Sequence, residues 1–349
     1  MPDEAQPQAS EPRPSGAGRP VVLLWLAALT CLVRFPVLSS HPFNVDESYY
    51  AAGAVELLAG GTFYRDVVDH KAPGIYYLYA LVYRAAGAYN QTAVHVVLLA
   101  VAALTAYFLG LCAQEFFGAR AGRWAGPLYA LASVIGPAND MQAANTELFM
   151  NLPVVAALWL CARMWTRSPP ARLEAAAMGL LVGLAIVVRP QAAVALVPIG
   201  FTLWRRRAGG WTAATVVLAA ALPTFALLAC LWRADALAEL RASLAYASYY
   251  TQCLPLEVKL ANASLKTLLF VGINVGLMVP VTMLLARGRR QDPIWRQGVG
   301  WLLGGWLLAS YAAVAAGGRF YPHYFIQALP PLAVMGARQL AIWERDIVR

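Results

Sequence analysis

Residues 44–50, Asn-Val-Asp-Glu-Ser-Tyr-Tyr, and residues 69–74, Asp-His-Lys-Ala-Pro-Gly, form a polar island in a chain otherwise built largely for lipid. Carboxylates, a histidine, a lysine and four nearby tyrosines (Tyr49, Tyr50, Tyr76, Tyr77) gather there. The 349 residues are 60% hydrophobic and only 13% charged, with a mean hydropathy of +0.56. Soluble domains carry about 25% charged residues. Repeated apolar runs divided by short arginine-bearing loops predict an all-α polytopic membrane protein, because only helices and closed barrels satisfy their backbone in lipid. The runs lack the alternation of barrel strands. The island therefore reads as chemistry at a membrane surface.

Working outward, apolar runs predict spans at about 20–38, 92–113, 122–139, 148–165, 173–188, 189–204, 211–232, 267–286, 298–316 and 325–342. The segment 75–88 is expected to lie on the surface without crossing. With a cytoplasmic N-terminus, the clusters at Arg120 and Arg123, at Arg163, Arg167 and Arg172, at Arg205 to Arg207, and at Arg287 to Arg296 then all face the cytosol, as positive loops prefer. Ten spans with both ends inside satisfy that rule. The net charge of +9 is an orientation signal, and no nucleic-acid partner is expected.

Three regions follow. Residues 1–19 form a disordered cytoplasmic tail, rich in Pro, Ser, Gly and charge. Residues 20–342 make one transmembrane domain in which 39–91 is the first external loop, and 343–349 form a short cytoplasmic tail. The run Val21 to Val33 reads as a retained helix with no cleavage pattern after it. No soluble domain is expected after the last span. The five cysteines have no metal spacing and read as small buried hydrophobes.

This topology sends the unusual polar residues to one face, in loops 39–91, 139–147, 189–191, 233–266 and 317–324. Asp46 stands where a helix begins and reads as an N-cap, which keeps a carboxylate ionised and available as a general base or metal ligand. Glu47 reads as a favourable first-turn acid. Tyr50, Ala54, Leu57 and Leu58 share a face that predicts a helix lying on the bilayer. His70 and Lys71 offer a metal ligand and a phosphate-binding cation beside a Pro-Gly turn. Glu147 opens a span, and Arg189, deep in apolar sequence, needs a turn that brings it to the interface. Gly317 to Tyr324 adds Arg319, Tyr321, His323 and Tyr324, in which an arginine fork suits phosphate oxygens.

The order hydrophobic helix, Asp-Glu-x-x-Tyr, His-Lys-x-Pro, a Glu in a second loop and Arg-x-Tyr-x-His-Tyr resembles the GT-C superfamily of membrane glycosyltransferases. The nearest branch is that of dolichyl-phosphate-mannose protein mannosyltransferases and the lipid A aminoarabinose transferase. The resemblance implies a GT-C bundle of about ten transmembrane helices with interfacial helices in the first external loop. It implies an inverting transfer of a hexosyl or pentosyl group from a polyprenyl-phosphate donor to a cell-envelope acceptor (glycan, lipid or protein), on the exoplasmic face of the inner membrane. By resemblance Asp46 is the catalytic carboxylate, with Glu47 and Glu147 as further catalytic acids. Lys71 contacts the carrier phosphate, with Tyr50, Arg189, Arg319, Tyr321, His323 and Tyr324 as substrate-binding residues. Asp46 and His70 are the candidate ligands of a divalent metal ion, the one cofactor considered. Ala72 stands where relatives often have a first proline, and many relatives carry a further soluble domain. The competing class is a transporter or flippase of lipid-linked sugars, which would place charges at the midplane and show two related halves. Neither is visible here.

Overall fold

The computed structural model describes residues 19–38, 41–167 and 172–348; the tail expected over residues 1–19 lies outside them except for Arg19. The chain is all-helical among the described residues, with one isolated bridge between Phe63 and Val67 in place of any sheet. The helices are α1 (Arg19–Arg34), α2 (Val45–Leu58), α3 (Gly74–Ala86), α4 (Gln91–Phe117), α5 (Ala119–Ala132) and the single turn α6 (Ala138–Met141). There follow α7 (Thr146–Thr166), α8 (Arg172–Val188), α9 (Leu196–Arg205), α10 (Gly210–Arg233), α11 (Leu237–Gln252) and α12 (Leu256–Ile273). The series ends with α13 (Val275–Gln291), the turn α14 (Ile294–Gln297), α15 (Val299–Ala315) and α16 (Leu329–Val348). Tight 3-10 turns precede α9 over Pro190–Ala195 and α16 over Pro322–Ala328.

By length and composition four stretches can cross a bilayer alone: Arg19–Val37, Gln91–Phe117, Thr146–Thr166 and Gly210–Arg233. The expected separation of 173–188 from 189–204 is present, since α8 ends at Val188 and Arg189 is extended before the Pro190 turn. One expected span is corrected. The run at 267–286 is not one straight helix: it breaks at Asn274, where α12 and α13 meet at 98°. Expected loop 233–266 is largely helical, supplying α11 and the first turns of α12. Polar residues such as Glu239, Arg241 and Ser243 in α11, and Glu257, Lys259 and Asn262 in α12, hid these helices from a hydropathy reading. The cysteine reading is also corrected in part. Cys112 and Cys161 are buried, but Cys31, Cys230 and Cys253 are exposed: α1 and α10 turn apolar faces such as Leu32 and Phe225 outward, and Cys253 caps the end of α11.

Helix packing within lipid gains little from the hydrophobic effect and depends on close approach of small residues. A methyl added at Gly179 or Gly183 of α8 would meet the Val216 or Ala220 carbonyl of α10 at 2.2 and 2.4 Å. The same device sets the site. A methyl at Gly74 would meet the Val187 carbonyl at 2.6 Å, so the start of α3 lies directly on the end of α8. Gly53 of α2 lies under the Tyr76 ring of α3 in the same way. Tyr50 and Ala54, expected on the bilayer, instead pack inward while Leu58 stays exposed. Arg34 is fully buried; it donates to the Ser133 carbonyl at 2.8 Å and the Met141 carbonyl at 3.1 Å, tying the end of α1 to the loop that follows α5.

Candidate active site

A cavity of about 980 Å³ opens where the loops before α2, α3, α7 and α16 meet α11. Its wall includes Asp46, His70, Lys71, Tyr321, His323 and Tyr324 of the expected site.

The local sequence explains the placement of Asp46. Asn44, not Asp46, caps α2: its side chain accepts the Glu47 amide at 3.1 Å. Asp46 is therefore in the first turn, where the helix end favours negative charge. Its carboxylate meets Lys71 Nζ at 2.7 Å, and that ammonium also donates to the Tyr50 hydroxyl at 3.2 Å. Asp69 organises the other side of the His-Lys step. It accepts the His70 amide at 2.6 Å, lies 3.0 Å from His70 Nδ1 and accepts the Tyr76 hydroxyl. Burial alone would raise the Asp69 carboxyl, but the His70 and Tyr76 hydrogen bonds and the Lys71 charge outweigh it and hold the group down at about 2. Burial, then Asp69, pushes the Tyr76 phenol up, so it stays a donor.

A second charged group reaches the cavity through Asp140 and His323. His323 Nδ1 is 2.7 Å from Asp140 Oδ1, and its Nε2 is 3.9 Å from Glu147 Oε1. Arg189 Nη1 lies 2.9 Å from the same Glu147 oxygen, an ion pair without the alignment of a hydrogen bond, and donates to Thr146 Oγ1 at 3.0 Å. The Arg189 guanidinium also lies 4.6 Å over the Tyr324 ring. The exposed corner predicted at Arg189 thus bends a costly charge onto a buried partner.

Five expected site residues lie outside the cavity wall: Tyr50, which is hydrogen-bonded to Lys71, Arg189, which is paired with Glu147, and Glu47, Glu147 and Arg319. Glu47 is fully buried and outside the cavity wall, so it is not placed to touch a substrate. Its Oε2 accepts the Phe43 amide at 2.6 Å; its Oε1 accepts the Ala144 amide and lies 3.2 Å from the buried His95 ring. Adjacent carboxylates on a helix point about 100° apart, and here one faces the cavity and one the core. Glu147 is also buried, behind His323. Arg319 stacks 3.7 Å over Tyr250 and donates to the Tyr250 carbonyl at 3.3 Å, bracing the end of α11 rather than lining the cavity.

The metal expectation does not fit these donors. Asp46 is engaged by Lys71 and His70 by Asp69, and no three His, Cys, Asp or Glu residues converge to hold a metal ion among the described residues. Sequence reasoning left out Asp69 and Asp140 as site residues, and all of α11. The signal for α11 was present: Glu239, Ser243, Tyr246 and Tyr250 recur at helical spacing, and all four line the cavity.

Residues 70–232 match the family model described as dolichyl-phosphate-mannose-protein mannosyltransferase. No curated protein is matched by sequence. The fold is similar to that of ArnT from Cupriavidus metallidurans, both bound to undecaprenyl phosphate (15% identity, TM-score 0.67) and in the apo state (17%, 0.69). It is similar also to the Archaeoglobus fulgidus oligosaccharyltransferase in complex with Zn and sulfate (16%, 0.60, covering 93% of this chain and 49% of that one). Both ArnT matches cover 96% of this chain, which spans 63% of the length of ArnT. The expected all-helical bundle is thus borne out by the shared architecture. The matched segment covers less than half of the chain, and the likeness to these structures shows a shared fold.

Proposed function

We propose that the protein is an inverting glycosyltransferase that moves a sugar from a polyprenyl-phosphate carrier to a hydroxyl of a cell-envelope acceptor, on the exoplasmic face of the inner membrane. The single observation that carries this reading is the Asp46–Lys71 pair, 2.7 Å apart in the wall of a roughly 980 Å³ cavity. A lipid phosphate is already a leaving group, so the protein must supply a proton acceptor and positive charge. The Lys71 ammonium meets a phosphate oxygen and gives up Asp46 in doing so. Asp46 then takes the acceptor's O–H proton while the acceptor oxygen bonds to the anomeric carbon and the carbon–phosphate-oxygen bond breaks. Polyprenyl phosphate leaves with its charge held by Lys71. His323, held by Asp140 and backed by Glu147 and Arg189, presents Tyr321 and Tyr324 beside the sugar. Tyr50 orients Lys71, and Glu47 positions Asp46 through the core. The likeness to ArnT solved with undecaprenyl phosphate supports this choice of donor.

The test is release of polyprenyl phosphate from sugar-loaded carriers by the full chain in bilayers, with a cell-envelope extract as acceptor. Asp46→Asn is expected to lower turnover by about 10²-fold or more at normal membrane insertion. Full turnover by that variant removes Asp46 from the mechanism.

A further inference from the structure

We infer, on the glycosyltransferase reading above, that the cavity accepts glycosyl groups without negative charge, and that Glu239 is the residue that imposes this specificity. Glu239, Ser243, Tyr246 and Tyr250 occupy positions i, i+4, i+7 and i+11 of α11, which is one helix face, and all line the cavity. That face is fixed in place: Ser243 Oγ donates to the Asp69 carbonyl at 2.8 Å, and His70 packs against the Tyr246 and Tyr250 rings at 5.6 and 4.9 Å between centroids. The wall therefore borders the same cavity as the Lys71 that receives the phosphate in the proposed reaction.

Charge in this wall is nearly all paired. Asp46 faces Lys71, Asp69 faces His70, and Asp140 faces His323, at 2.7, 3.0 and 2.7 Å. The one guanidinium of the lining, Arg65, is bound to Asp66, Thr62 Oγ1 and the Ala234 carbonyl. Glu239 differs. Its Oε2 is closed off from solvent and has no hydrogen-bond partner among the described residues. Glu239 thus adds an acid to this wall that no cation offsets, and its charge acts across the cavity. A neutral sugar is tolerated beside it, and an ammonium is attracted.

A uronate does the reverse. Phosphate binding occupies Lys71 and frees Asp46, so the sugar side then holds Asp46 and Glu239 with no spare cation. A second carboxylate placed there is repelled, and this repulsion discriminates against a wrong substrate without any new attractive contact.

The experiment uses the full chain in lipid nanodiscs and a radiolabelled bare polyprenyl phosphate as probe. Three unlabelled competitors share one carrier and differ in the glycosyl group: a neutral hexose, an amino sugar and a hexuronic acid. Wild type should be displaced by the neutral and amino donors at concentrations about ten-fold or more below that needed for the uronate. Glu239→Gln should shrink that ratio to about three-fold or less, and Glu239→Asp should restore most of it. Equal competition by uronate and neutral donors in the wild type overturns the proposal, as does an undiminished ratio in Glu239→Gln. A probe that shows no saturable binding to the wild type removes the carrier reading itself and the inference with it. The wild-type ratio decides the matter even if a variant fails to fold.

Discussion

At the scale of single residues, Asp46 and Glu47 are neighbours with opposite duties. Asp46 reaches a cavity and a lysine; Glu47 is enclosed and joins Phe43, Ala144 and His95, which belong to three separate segments. Removing a buried acceptor leaves its donors unpaired at about 1–3 kcal/mol each. Glu47→Ala is therefore expected to destabilise the fold by about 3 kcal/mol, read as a fall in thermal midpoint in detergent, whereas Asp46→Asn leaves the midpoint nearly unchanged. Equal midpoints for Glu47→Ala and wild type would remove the clamp. Asp69 gives a pH signature. Its folded value of about 2 lies below the ordinary 3.8, so its contribution is present above about pH 4 and is lost as pH falls toward 2. Midpoints measured from pH 5 to pH 2 should fall less steeply in Asp69→Asn than in wild type. An unchanged slope would show that Asp69 is not held as described.

At the scale of elements, the site depends on how helices touch rather than on which side chains react. Gly74 is the clearest case, with the Val187 carbonyl where its side chain would be. Gly74→Val must push α3 off α8 and carry the adjoining His70–Pro73 turn with it. An overpacked contact costs about 1–3 kcal/mol. We expect a lower thermal midpoint together with weaker binding of a polyprenyl-phosphate donor, since Lys71 moves away from Asp46. Unchanged donor affinity in a destabilised variant would separate the turn from the α3–α8 contact. Helix α11 teaches the complementary lesson: its polar composition hid it as a loop, although the spacing Glu239, Ser243, Tyr246, Tyr250 marked a single face.

At the scale of the whole molecule, loops separated by hundreds of residues meet at one end of the bundle. Arg205 to Arg207 close α9 at its far end from the Arg189 corner, whereas Thr62 lies in the loop that feeds the cavity. Single cysteines at Thr62 and Arg206, in a chain freed of its native cysteines, are expected to react with a membrane-impermeant reagent from opposite sides. Reaction from one side would overturn the ten-span reading.

The sequence by itself determined the class of the molecule, because hydropathy is a property of each segment and needs no partner. It also set Asp46, Lys71, His70 and the Tyr321–Tyr324 motif in the polar segments between apolar runs, since polar residues in a lipid-built chain stand out locally. Only the tertiary structure decided which of these meet. The Asp140–His323 contact spans 183 residues and the Ser243–Asp69 contact 174, distances that no local pattern encodes. It decided too that Asp46 faces a cavity while Glu47 faces the core. A helix separates adjacent side chains by about 100°, but which direction is inside depends on what packs against it.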